Sequence, residues 1–131
     1  MSEKEKMLSG EQYTPQDAEL FYERTHAKIL CKKFNNLAIT DTETQKKILK
    51  KLFSKTGTLF QIEPNFFCDY GYNIEIGENF FANHNLVILD SAKVSIGNDV
   101  YIGPNCGIYT PCHPTDPTER ISGVEFEDQL Q

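Results

Sequence analysis

Residues 74–89 read IEIGENFFANHNLVIL, and residues 94–110 read VSIGNDVYIGPNCGIYT. In the second stretch Ile96, Ile102 and Ile108 stand six residues apart, and Gly97 and Gly103 directly follow the first two. Val100 and Cys106 come four residues after those same two isoleucines. In the first stretch Ile76, Ala82 and Ile88 keep the same step, with Gly77, Phe80 and Leu86 in the matching slots. A two-residue offset near Ser91 to Lys93 shifts one run against the other. A period of six with one inward aliphatic and a following glycine suits a parallel β-helix. Each hexad is one short flat strand plus a turn, and glycine or asparagine accepts the tight, often left-handed turn. An antiparallel meander is the alternative, but its turns would not fall at a fixed step of six.

Upstream the pattern is helical. Thr14 can cap a helix with Pro15 at its first position and Asp17 near its positive end. From 17 to 34 the apolar residues Leu20, Phe21, Ile29, Leu30 and Phe34 recur at three-to-four spacing between charges. A second start lies at Thr40–Glu43, as a capping box or with Asp41 capping alone. It leads into Ile48, Leu49, Leu52 and Phe53 on one side with lysines on the other, and Gly57 ends the helical part. The chain thus divides into a helical segment, 1–57, and a β-helix, 58–131.

At 131 residues there is room for one modest core. No apolar run reaches the length of a membrane span, and the charged N-terminus lacks the apolar stretch of a secretory signal. The cytoplasm is the expected location. A net charge of −6 with no basic stripe argues against nucleic acid as a partner. Cys31, Cys68, Cys106 and Cys112 form no C-x-x-C pair, so buried or half-buried free thiols are expected rather than a metal site.

Residues 108–126, IYTPCHPTDPTERISGVEF, carry His113 between Cys112 and Pro114. A base, a metal ligand or an inert loop residue are all open readings of it. A Cys112–His113 nucleophile pair is not, because adjacent side chains on extended backbone point opposite ways. His84 reads as a surface or wall residue, and His26 as solvated.

These stretches, with MLSGEQYTPQDAEL (7–20), DYGYNIEIGENFFANHN (69–85), ILD (88–90), IGNDVYIGPN (96–105) and the H-P-x-D-P-x-x-R of residues 113–120, resemble the hexapeptide-repeat sugar O-acetyltransferases, the maltose and galactoside acetyltransferase family. The resemblance runs from Met7 to Phe126. It implies an all-β core, a left-handed parallel β-helix with an N-terminal α-helical segment. It further implies a homotrimer with clefts between subunits, where acetyl-CoA donates its acetyl group to a sugar hydroxyl and no metal takes part. His113, in the catalytic loop 109–126, matches the general base. Such a role suits an imidazole, whose ordinary pKa lies near neutrality. Glu125 matches the carboxylate that holds the histidine tautomer, leaning towards the maltose-type branch. Asn83 matches an asparagine contacting the acceptor hydroxyl near the reacting centre. Asp69 and Asp90 match polar positions lining the acceptor site, and Asp17 an acid that reaches a sugar hydroxyl. Arg120 is expected to brace the loop through Asp116. On the residues alone, Asp69 and Asp90 also read as turn residues, and Asn83 as an asparagine in a left-handed turn.

The family pattern continues beyond the VEFEDQLQ of residues 124–131 with further hexads. The expectation is therefore a C-terminally truncated β-helix with weak or absent acetyl transfer by this chain alone. Acetylation of another hydroxyl is a competing reading, as is a non-catalytic solenoid fragment. A β-helical zinc carbonic anhydrase fails because the solenoid offers only His84 and His113 where three ligands are needed.

Overall fold

The computed structural model describes residues 1–112 and 126–127, with side chains described through residue 111. Three helices come first: α1 (Glu3–Ser9), α2 (Ala18–Asn35) and α3 (Thr42–Leu52). Eight short strands follow: β1 (Phe60–Ile62), β2 (Phe66–Cys68), β3 (Ile74–Ile76), β4 (Phe80–Ala82), β5 (Leu86–Leu89), β6 (Val94–Ile96), β7 (Tyr101–Ile102) and β8 (Gly107–Tyr109). They form three parallel ladders, β1-β4-β7, β2-β5-β8 and β3-β6, which are the faces of a left-handed parallel β-helix. A last pair, β9 (Pro111–Cys112) and β10 (Phe126–Glu127), is antiparallel.

The register shows why the isoleucines recur as they do. Ile76 pairs with Ile96, Ala82 with Ile102 and Ile88 with Ile108. Each pair is twenty residues apart, so one coil is two hexads plus one step of eight, and the offset near Ser91 is that longer step. Ile74, Ile76, Phe80, Ala82, Leu86 and Ile88 are buried inside the prism. Each large aliphatic among them contributes roughly 1.5–3 kcal/mol by leaving water. Ile96, Val100, Ile102 and Ile108 pack on this core from the next coil and are partly buried. Cys106, directly before β8, is exposed rather than buried.

The turns use asparagine and glycine for different purposes. Asn79, Asn85, Asp99 and Asn105 hold the left-handed backbone, with φ of 55–66°. They stack as ladders, with Asn79 Nδ2 donating to Asp99 Oδ1 at 2.9 Å and Asn85 Nδ2 to Asn105 Oδ1 at 3.0 Å. Gly77 instead serves close approach, since a Cβ there would meet the Gly97 carbonyl at 2.8 Å. Gly57 does the same one coil earlier, where a Cβ would lie 2.7 Å from the Gly77 oxygen. The expectation that Gly57 ends the helix is therefore corrected. α3 stops at Leu52 with Phe53 as its extended cap, and Gly57 already belongs to the stacked turns.

Other local starts also differ. Asp17, not Thr14, caps α2, because its Oδ2 accepts the Glu19 and Leu20 N–H groups at 3.0 and 3.3 Å. Asp41 alone caps α3. The S-x-x-E of Ser2 to Glu5 makes a capping box that starts α1, and Gly10 at φ 83° closes it. Phe21 and Ile29, expected on the apolar side of α2, are each 61% exposed. Ala27, Cys31 and Phe34 of α2 are buried instead, in one cluster with Ile48, Leu49, Leu52 and Phe53 and the solenoid residues. The helices thus close one end of the prism, with Phe53 meeting Phe66 edge-on at 5.6 Å.

Candidate active site

The eight-residue step forms one corner of the prism, where residues 69–73 stack against 89–93. Asp90 holds that corner together. Its Oδ1 accepts the N–H groups of Asp69 (3.1 Å) and Tyr70 (2.9 Å), and its Oδ2 those of Gly71 (2.8 Å) and Asn73 (3.3 Å). Asn73 returns the contact by donating to the Asp90 carbonyl at 2.7 Å. The side chain is wholly buried, and burial pushes its pKa up to about 7 against the opposing pull of these N–H donors. Asp90, matched in the sequence to a position lining the acceptor site, is buried here against these N–H donors. It stands one layer behind, fixing the backbone of the residues that do face outward. Thr110 continues the stack one coil on, donating to the Leu89 carbonyl at 2.6 Å and accepting the Ala92 N–H at 3.0 Å.

A polar cleft of about 400 Å³ opens beside this corner, with Tyr13, Gln16, Arg24, Asp69, Ser91 and Tyr109 among its walls. Asp69 is half-buried and lines this cleft. Arg24 projects from α2, which brings a cation to the cleft. Its Nη1 donates to the Tyr70 hydroxyl at 2.8 Å and its Nη2 to the Pro15 carbonyl at 2.6 Å. Burial raises the Tyr70 pKa to about 12 despite that guanidinium, so the phenol stays protonated. Behind it, the Tyr72 hydroxyl donates to Glu23 Oε1 at 2.9 Å, and Glu23 also pairs with Lys4 at 2.7 Å. Burial first, and then Glu23, push the Tyr72 phenol well above its ordinary range. These contacts tie α1 and α2 to the corner.

The remaining sequence candidates are distributed as follows. Asp17, half-buried, caps α2 just ahead of the cleft wall formed by Pro15 and Gln16. Asn83 sits at a different corner, between β4 and β5, so one chain does not bring it to Asp69. It is not the residue in the left-handed turn, a place taken by Asn85. The Asn83 carboxamide accepts the His84 N–H at 2.8 Å and donates to the Tyr101 hydroxyl at 3.5 Å, and Tyr101 stacks on Phe81 at 4.9 Å. His84 is exposed with its Nδ1 against the Pro64 carbonyl, and His26 is exposed on α2. His113, Glu125, Asp116 and Arg120 lie outside the described residues. β9 ends directly before His113, however, and β10 begins directly after Glu125. Among the described residues no group of three or more His, Cys, Asp or Glu side chains is arranged to hold a metal.

Sequence reasoning missed Arg24, Tyr13, Ser91 and Tyr109. Arg24 carried a usable signal, lying seven residues after the cap Asp17 and so two turns along the same helix face. Ser91 stood inside the two-residue offset, the break in the period that marks this corner.

Residues 6–57 match the family described as the maltose acetyltransferase hexapeptide capping motif. Over 95% of its length the chain is 40% identical to nodulation protein L of Rhizobium meliloti, covering 68% of that protein. Among solved structures, it resembles a maltose O-acetyltransferase from Clostridium difficile 630 with a TM-score of 0.95 and 46% identity, covering 97% of this chain and 68% of that one. A galactoside acetyltransferase in complex with coenzyme A gives 0.91 and 32%, covering 97% and 64%. The chain spans about two thirds of the length of the curated relatives it matches.

Proposed function

The chain belongs to the hexapeptide-repeat acetyltransferases, and on that premise we propose that it takes part in moving an acetyl group from acetyl-CoA to a sugar hydroxyl. What supports the assignment of the base is the match of the H-P-x-D-P-x-x-R of residues 113–120 to the family pattern, next in the chain to the paired strands β9 and β10. Cys112 pairs with Phe126 and Pro111 with Glu127. In the chain, His113 directly follows β9 and Glu125 directly precedes β10. Pro111, at the start of β9, is itself a wall of the polar cleft.

In this reading a neutral His113 nitrogen takes the proton of the sugar hydroxyl as the oxygen attacks the thioester carbon. Glu125 holds the other ring nitrogen, fixing the tautomer and favouring the imidazolium that forms. When the carbon–sulfur bond breaks, the imidazolium returns its proton to the departing sulfur, and no acyl-enzyme forms. The cleft at the Asp69 corner receives the acceptor, because carboxylate, amide and guanidinium groups read sugars through directional hydrogen bonds. Asn83 and Asp69 occupy separate corners of one chain, which favours a homotrimer in which Asn83 of one copy completes the cleft of the next. The relatives named for maltose and galactoside acetylation make those sugars the first acceptors to try. A cytoplasmic location is in keeping with that use of acetyl-CoA.

Release of CoA thiol from acetyl-CoA, followed with a thiol reagent across maltose, glucose and galactosides, tests this. Acceptor-dependent release with formation of an O-acetyl sugar is expected, at the weak rate anticipated for this chain alone. Release no faster than in the acceptor-free control, with every sugar, would overturn it.

A further inference from the structure

We propose that Cys31 and Cys68 form a reversible disulfide that fastens α2 to the first coil of the β-helix. The two sulfurs lie 3.8 Å apart, both buried, and the residues are 37 positions apart in the chain. One helical turn further along α2, Asn35 clamps the neighbouring stretch of β2. Its Nδ2 donates to the Phe66 carbonyl at 3.0 Å, and its Oδ1 accepts the Phe66 N–H at 2.8 Å. Residues 31 and 35 of the helix therefore meet residues 68 and 66 of the strand, and this second contact holds the two thiols face to face. A covalent bond requires them to close by about 1.8 Å, to the ~2.05 Å of a disulfide, within the range of side-chain rotation.

Both thiols also line a second cleft, of about 560 Å³, whose walls include Lys28, Lys32 and Phe67. That cleft is the route by which a small reagent reaches sulfurs otherwise covered by the helix. Hydrogen bonding to Cys68 lowers the Cys31 pKa, whereas Cys31 and burial push the Cys68 thiol well up. Cys31 is therefore the attacking thiolate. With a low-molecular-weight disulfide as oxidant, Cys31 attacks one reagent sulfur, breaks the reagent S–S bond and expels one thiolate. Cys68 then gives its proton to solvent and attacks the Cys31 sulfur of the mixed disulfide, expelling the second thiolate. Two protein thiols are oxidised and one reagent disulfide is reduced to two thiols.

The test exposes the folded chain to excess oxidised glutathione, alkylates the remaining thiols and digests without reductant. Mass spectrometry is expected to find the Cys31 and Cys68 peptides joined, lighter by two hydrogen atoms, and separated again by dithiothreitol. A double variant, Cys106→Ser with Cys112→Ser, is expected to form the same link, since it keeps only this pair. Alkylation of both Cys31 and Cys68 after that treatment overturns the proposal, and so does a link that forms only in denaturant.

Discussion

Asp90 Oδ1 accepts the backbone N–H of Asp69 at 3.1 Å, so a buried carboxylate on one coil sets the position of a cleft-facing carboxylate on the coil before it. Both oxygens of Asp90 accept N–H groups from residues 69–73. Asp90→Asn points an NH₂ group at two of those donors and leaves them unpaired. A loss of about 1–3 kcal/mol is expected for the buried unpaired groups, read from chemical denaturation.

The same residue predicts a pH dependence. Its folded pKa of about 7 stands above the ordinary value of 3.8, so the folded state holds a proton that the unfolded state has released. The stability Asp90 contributes is fully present below about pH 4 and declines as pH rises through about 7. The stability gap between the parent chain and Asp90→Asn should therefore be wider at pH 5 than at pH 8.

Gly77 and Gly97 hold equivalent places on successive coils, yet they should answer differently to alanine. A Cβ at Gly77 meets Asn98 Oδ1 and, at 2.8 Å, the Gly97 backbone, whereas at Gly97 nothing lies within 4 Å. Gly77→Ala should cost at least about 1–3 kcal/mol, as overpacking against backbone does, and Gly97→Ala less than about 0.5 kcal/mol. Thermal unfolding of the two variants side by side checks this.

At Asn85, φ of 66° separates alanine from glycine. Both substitutions remove the amide that bonds Asn105, but only alanine also carries the left-handed backbone penalty. Asn85→Ala should therefore be less stable than Asn85→Gly by about 1 kcal/mol.

The trimer reading predicts complementation. His113→Ala and Asn83→Ala chains, each inactive alone, should regain activity when refolded together. Some shared clefts then receive both intact residues, about a quarter of them for random mixing in a closed ring. A mixture no more active than its components would place both residues in one chain's site.

The solenoid was legible because its cause is periodic. The step of six, and the break at Ser91 to Lys93, follow directly from one inward side chain per strand and a corner two residues longer than the others. The exact turn residue was not legible: the sequence offers Asn83 for the left-handed turn, whereas Asn85 holds it. Asp90 could not be separated from Asp69, because a carboxylate that binds backbone N–H groups and one that faces a cleft look alike until the neighbouring coil is stacked on them. Phe21 and Ile29 misled because apolar spacing does not say which face of a helix meets the prism. Cys31 and Cys68 are joined by tertiary packing across 37 positions, which no local spacing records.

The role assigned to His113 is tested most directly by comparing the parent chain with His113→Ala for sugar-dependent CoA release from acetyl-CoA. Loss of the base should lower the turnover rate by about 10²–10⁴-fold while leaving folding unchanged. Turnover in His113→Ala within about threefold of the parent, a difference of under 1 kcal/mol, would contradict the assignment.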